Sequence, residues 1–171
     1  MVSIQNHFTK ATIECQKLPG FLEIILSVHS GSGGGQENTW VTVMINIDRQ
    51  IVHWRKGAEE DWVVAQELVS RRRIRHGLFF AHLSLEKILK AHVCSNINDI
   101  APPVHNLTRL ANLSGLTIDE DLRDLLADVS PFNIETRYPD MLIPEPSFEE
   151  ARAYMQRIEA AFTWLTAQFK E

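Results

Sequence analysis

What this sequence has little of narrows it first. The longest apolar run near its start, "FLEIILSV", is interrupted by Glu23 and falls far short of the roughly 20 residues a spanning helix needs. It also lacks the basic leader of a secretory signal. Cysteine is almost absent: Cys15 and Cys94 stand far apart with no partner at metal-ligand spacing, which offers neither a disulfide framework nor a zinc site. Together these shortages point to a cytoplasmic protein. Positive charge is short too, with 17 Lys and Arg against 22 Asp and Glu and a net charge of -5. That excludes a general polyanion binder, so any nucleic-acid contact must be a local basic patch. The glycines of "HSGSGGGQENT" are not followed by Gly-Lys-Ser/Thr, and without that lysine and hydroxyl the stretch reads as a flexible linker rather than a phosphate loop.

What is present is ordinary for a globular protein: 171 residues, 44% apolar and 23% charged, enough for one domain with a real core. The chain changes character near residue 44. Residues 1–43 read as a poorly structured N-terminal extension, and residues 44–171 as the folded domain. "WVTVMINI" (Trp40–Ile47) is rich in β-branched residues and suits a short strand, but no partner for it is evident in the sequence.

Beyond that point helical periods dominate. A first helix is expected over about 48–70, with Ile51, Ala58, Trp62, Ala65 and Leu68 on one stripe. A second, about 73–95, places Leu78, His82, Leu85, Leu89 and His92 on one face. A short third helix over about 105–113 stops at Gly115. "TIDE" (Thr117–Glu120) and "SFEE" (Ser147–Glu150) look like capping boxes opening a fourth helix and a long last one. The fold class expected is all-α, an antiparallel bundle of four to five helices.

Three places concentrate polar side chains. "RRRIRHGLFFAH" (Arg71–His82) packs four arginines and two histidines into twelve residues. Metal-independent RNA cleavage needs a base near the 2′-hydroxyl and a cation on the developing phosphorane charge. Arg75 and His82, seven apart, would share a helix face and are the candidate catalytic pair. Against this, His82 falls on the apolar stripe, where a hydrogen-bonded core histidine is commoner than a base. In "LSLEKILKAH", Glu86 and Lys90 are spaced i, i+4, the signature of a surface ion pair. In "NIETRYPD", Tyr138 precedes Pro139 and is pushed out of the helical region, so Arg137 ends an element and Asp140 can accept backbone donors in the turn.

Read in order, "NIDRQIVHWRKGAEEDWVVAQELV", "LFFAHLSLEKILKAHV", "PPVHNLTRLA" and "FNIETRYPD" resemble the HEPN domain family (higher eukaryotes and prokaryotes nucleotide-binding), over residues 44–171 and not before. The resemblance implies a helical bundle, usually dimeric, with a role around nucleotides or RNA. It further implies a minimal nucleotidyltransferase as partner, in toxin–antitoxin fashion. No cofactor or metal is expected. Ribonuclease members carry an arginine with a histidine shortly after it near the start of a late helix. Here the late arginine is Arg137, and Leu142, Ile143 and Pro144 stand where the histidine would fall. No histidine follows His105. The expectation is therefore a polar cleft that binds rather than cuts, built from Glu86, Lys90, His105, Arg137 and Asp140, with Arg137 and Lys90 on phosphate. A ribonuclease toxin and a purely structural interaction module are the rival readings.

Overall fold

The computed structural model describes the backbone of residues 2–6, 9–18, 21–30, 38–135 and 144–169, and the side chains of 44–133 and 144–169. The chain divides into two compact units, 1–48 and 49–171.

The first unit is a four-stranded antiparallel meander in the order β1 (Val2–Asn6), β2 (Thr9–Leu18), β3 (Phe21–Ser30), β4 (Asn38–Asn46). The strand expected at Trp40–Ile47 therefore exists, but it is not alone. It pairs along its length with β3, Phe21 opposite Asn46 and His29 opposite Asn38. The pairing was invisible locally because β3 carries Glu23 within a continuous apolar run rather than a clean alternation. The glycines expected to form a linker, 31–37, lie outside the described residues.

The second unit is all-α. Its elements are α1 (Ile47–Ser70), α2 (Ile74–Ile97), α3 (Leu107–Leu113), α4 (Glu120–Val129), the single turn α5 (Phe132–Glu135) and α6 (Phe148–Ala167). α2 is the central element and packs against α6, α3 and α5. Its buried residues run all round the helix rather than along one stripe, from Ile74 and Leu78 through Leu85, Ile88 and Leu89 to Val93 and Cys94. A helix enclosed on every side has little amphipathicity, so periodicity understates how much of it is core. α1 closes on this core through Ala58, Trp62, Ala65 and Val69, with Trp62 stacked on Phe162 of α6 at 5.8 Å.

The helix ends are set by local chemistry. The Ser147 hydroxyl accepts from the Glu150 amide while the Glu150 carboxylate accepts from the Ser147 amide, the reciprocal box that opens α6. At α4 the cap is Asp119, whose carboxylate accepts from the Leu122 amide at 2.8 Å, so the helix opens two residues later than a box headed by Thr117 would place it. α3 is capped by Asn106, which leaves His105 in the connection before it. α1 ends in a Schellman arrangement: the Arg73 amide donates to Leu68 O at 2.8 Å and the Arg72 amide to Val69 O at 2.9 Å. Arg72 sits at φ 59°, the left-handed position usually given to glycine.

Candidate functional site

Glu86 is the centre of a buried ionic cluster. It lies on α2, only 4% exposed, and three side chains converge on it. Lys90, one turn on, donates to Oε1 at 2.8 Å. His105, from the connection before α3, donates its Nδ1–H to the same oxygen at 3.0 Å. His82, one turn back, sets Nε2 3.4 Å from Oε2. Trp54 of α1 closes the far side, with its ring 5.0 Å from the Lys90 ammonium.

Of the residues expected to form a cleft, Glu86, Lys90 and His105 are thus brought together, while Arg137 and Asp140 lie outside the described residues. The i, i+4 pair is not the surface ion pair its spacing suggests, because the all-round burial of α2 carries it inside. Lys90 is itself only 6% exposed. Its charge is taken up by Glu86 and by the Trp54 face, so it neutralises the carboxylate rather than reaching for a ligand.

Burial alone would raise the Glu86 carboxyl. The contacts of His82 and Lys90, the charge of Lys90 and the hydrogen bond from His105 outweigh that and hold it at about 2. Glu86 is therefore a fixed carboxylate, and its effect on His105 follows from hydrogen-bond bookkeeping. A carboxylate only accepts, so His105 Nδ1 carries the hydrogen, and Nε2 is left with a lone pair or a second proton. The His105 side chain is 51% exposed. It is the member of the cluster that solvent reaches.

His82 is wholly buried. Its Nδ1 faces Val129 O at 3.4 Å while Nε2 faces Glu86. Among the described residues neither Nε2 nor Glu86 Oε2 makes a well-formed hydrogen bond. A base that never meets solvent cannot approach a 2′-hydroxyl, so Arg75 and His82 do not form a surface pair.

Sequence reasoning missed Trp54 and a second pair, Lys87 with Asp61, whose atoms are 2.6 Å apart. Trp54 had a signal: it stands one turn before Ala58 on the apolar stripe of α1. It also missed Asn133, buried in α5 with its Oδ1 unpartnered among the described residues.

Farther along α2, His92 donates Nε2–H to Leu165 O at 2.9 Å and stacks on Phe169 at 3.8 Å, with the Arg55 guanidinium 4.6 Å from the centre of that ring. Burial and then the Arg55 charge lower its pKa, against the Leu165 carbonyl, which raises it. A histidine whose folded pKa is depressed contributes stability above its unfolded value, 6.5, and loses it as pH falls below that. Glu86 has the same sign at lower pH: its contribution is intact above 4.5 and is lost as pH falls from there toward 2. The thermal midpoint is expected to decline in two stages on acidification, with His92→Gln flattening the first stage alone. A midpoint independent of pH between 7 and 3 would contradict both assignments.

Residues 51–168 match the HEPN domain family. This chain belongs to the HEPN family. Two solved structures share the fold. One is TT1696 from Thermus thermophilus, with a TM-score of 0.60 and 19% identity over 70% of this chain and 98% of that one. The other is ST0689, an archaeal HEPN homologue, with a TM-score of 0.56 and 21% identity over the same shares. A search of the curated proteins found no match. The HEPN family is associated with nucleotide- and RNA-related functions. Among the described residues, no group of His, Cys, Asp and Glu is placed to hold a metal ion, and no helix is long and apolar enough to cross a membrane.

Proposed function

We propose that this HEPN protein binds a nucleotide or RNA at the mouth of the Glu86 cluster, as a dimer and beside a nucleotidyltransferase partner in toxin–antitoxin fashion, without cutting RNA itself. The observation that carries the reading is the Glu86–His105 hydrogen bond, which holds a half-exposed imidazole whose Nε2 has no partner among the described residues. Such a nitrogen donates to a phosphate oxygen when protonated and accepts from a base or sugar hydroxyl when not. The buried state of His82 supports binding over cleavage, since it removes the base of the Arg75–His82 pair from the surface. Exposed Val52, Val63 and Val64 on α1 supply apolar area for a second copy.

The rival reading, metal-independent RNA cleavage, is favoured by the same Nε2, because an imidazole oriented by a carboxylate is also a competent general base. An RNA-binding and cleavage assay in EDTA separates them. The expected result is binding that weakens at least about tenfold in His105→Ala, roughly the loss of one charge-assisted hydrogen bond, with no cleavage by either protein. Cleavage abolished in His105→Ala would establish the nuclease instead. Binding unchanged in that variant would leave neither.

A further inference from the structure

The turn between α1 and α2 carries a second polar feature, separate from the Glu86 cluster. Leu68, Arg71, Arg73, His76 and Phe80 line one open groove of about 440 Å³. Arg71, Arg73 and His76 are exposed or half-exposed, and Phe80 is half-buried with its ring held edge-on against Phe79 at 5.7 Å. We infer that this groove is a binding site for a nucleotide-borne phosphomonoester, with the phosphate between Arg71 and Arg73 and the base against Phe80.

Three observations carry it. First, the two guanidiniums are uncommitted among the described residues. Among the described residues neither Arg71 nor Arg73 has an ion pair, whereas Arg72 between them is spent on the ring of Phe148 at 4.4 Å. Second, the turn is built to hold them. Three backbone hydrogen bonds, from the amides of Arg71, Arg72 and Arg73 to Glu67 O, Val69 O and Leu68 O, fix its path. Arg72 occupies a left-handed conformation that costs an ordinary residue about 1–2 kcal/mol. Third, the groove pairs cation and apolar ring. Two planar guanidiniums suit a dianionic, terminal phosphate, which each can grip with two parallel hydrogen bonds, and an aromatic face beside them suits a stacked base.

The rest of the surface limits the ligand further. With a net charge of -5, the protein repels a long polyanion, so a local cluster favours an end group over a tracked backbone. At the first turn of α2 the Arg75 amide is already taken by Glu145 at 3.0 Å. The ligand is held by side chains.

Calorimetric titration of the full chain with AMP and adenosine, and with a short RNA bearing a 5′-phosphate or a 5′-hydroxyl, tests this at low and moderate salt. AMP and the phosphorylated RNA are expected to bind at least tenfold more tightly than their unphosphorylated counterparts. Preference for AMP alone identifies a free nucleotide as the ligand; preference shared by the RNA identifies a processed RNA end. In the Arg71→Ala/Arg73→Ala double variant the preference is lost, in Phe80→Leu both forms weaken several-fold, and Lys56→Ala on exposed α1 behaves as wild type. Because His105 lies outside this groove, His105→Ala keeps the phosphate preference even where the cleft reading fails. Equal binding of phosphorylated and unphosphorylated ligands, no binding of either, or a preference surviving in the double variant would each overturn the assignment.

Discussion

Replacing Glu86 with alanine is expected to destabilise the protein by about 3–5 kcal/mol, the loss typical when one partner of a buried ion pair is removed and the other stays buried. Lys90 is only 6% exposed and would keep the Trp54 face but lose its carboxylate. His105 would lose the acceptor that fixes its tautomer. Set against a total stability of about 5–15 kcal/mol for a domain, the change removes about a fifth or more. Glu86→Gln keeps the shape and discards the charge, so it separates cavity from electrostatics: if the ion pair is the cause, glutamine costs nearly as much as alanine. The double change Glu86→Leu/Lys90→Met removes both charges together and is expected to recover most of the loss. Urea unfolding measures all three. A cost below about 1 kcal/mol for Glu86→Ala, the value of an exposed pair, would mean that Lys90 swings out to water and that the cluster is not closed.

Gly77→Ala is the second large effect, and its sign runs against helix propensity. A glycine inside a helix is about 1 kcal/mol worse than alanine, so on local grounds alanine should stabilise α2. The tertiary fold reverses this. A Cβ at position 77 would stand 2.4 Å from Val69 Cγ2, 3.0 Å from the Val69 amide nitrogen and 3.2 Å from Ala65 O. Val69 is 5% exposed and β-branched, so it has no rotamer to yield into. The helices must part, at a net cost of about 1–3 kcal/mol for overpacking a tight contact. Adding Val69→Ala to Gly77→Ala is expected to cost less than the sum of the two single changes, because it removes the nearest clash. Strict additivity, read from denaturation midpoints, would show that the two helices do not meet there.

These two effects mark where sequence reasoning stopped. The helical bundle was legible because its cues are local: the capping box at Ser147 and the apolar stripe of α1 act within one or two turns. The order of four motifs carried the family. The grouping of the polar cluster was legible in part, since Glu86, Lys90 and His105 were expected to converge and their side chains do meet. Their inside position was not legible. An i, i+4 Glu–Lys pair reads the same on a solvated helix as on an enclosed one, and only the packing of α6, α3 and α5 around α2 tells them apart.

His82 shows the same limit from the other side. Its place on the apolar stripe said that it could be buried; the Val129 carbonyl, 47 residues away, says what it meets. The Arg71–Arg73 run read as either a solvated helix start or a phosphate-contacting patch. The Schellman turn and the ring of Phe148 divide it, engaging Arg72 and leaving its two neighbours facing one groove.

By itself, then, the sequence determined which segments of the bundle are helical and to which family the chain belongs, because short-range hydrogen bonding and periodicity are written residue by residue. The tertiary structure alone decided that β4 has a partner in β3, that Glu86 and Lys90 are core, that Gly77 is a contact and not a defect, and that His105 is the exposed edge of the cluster. Each of these depends on distance between residues far apart in the chain, and burial converts the same side chains from solvated charges into a network whose every member requires the others.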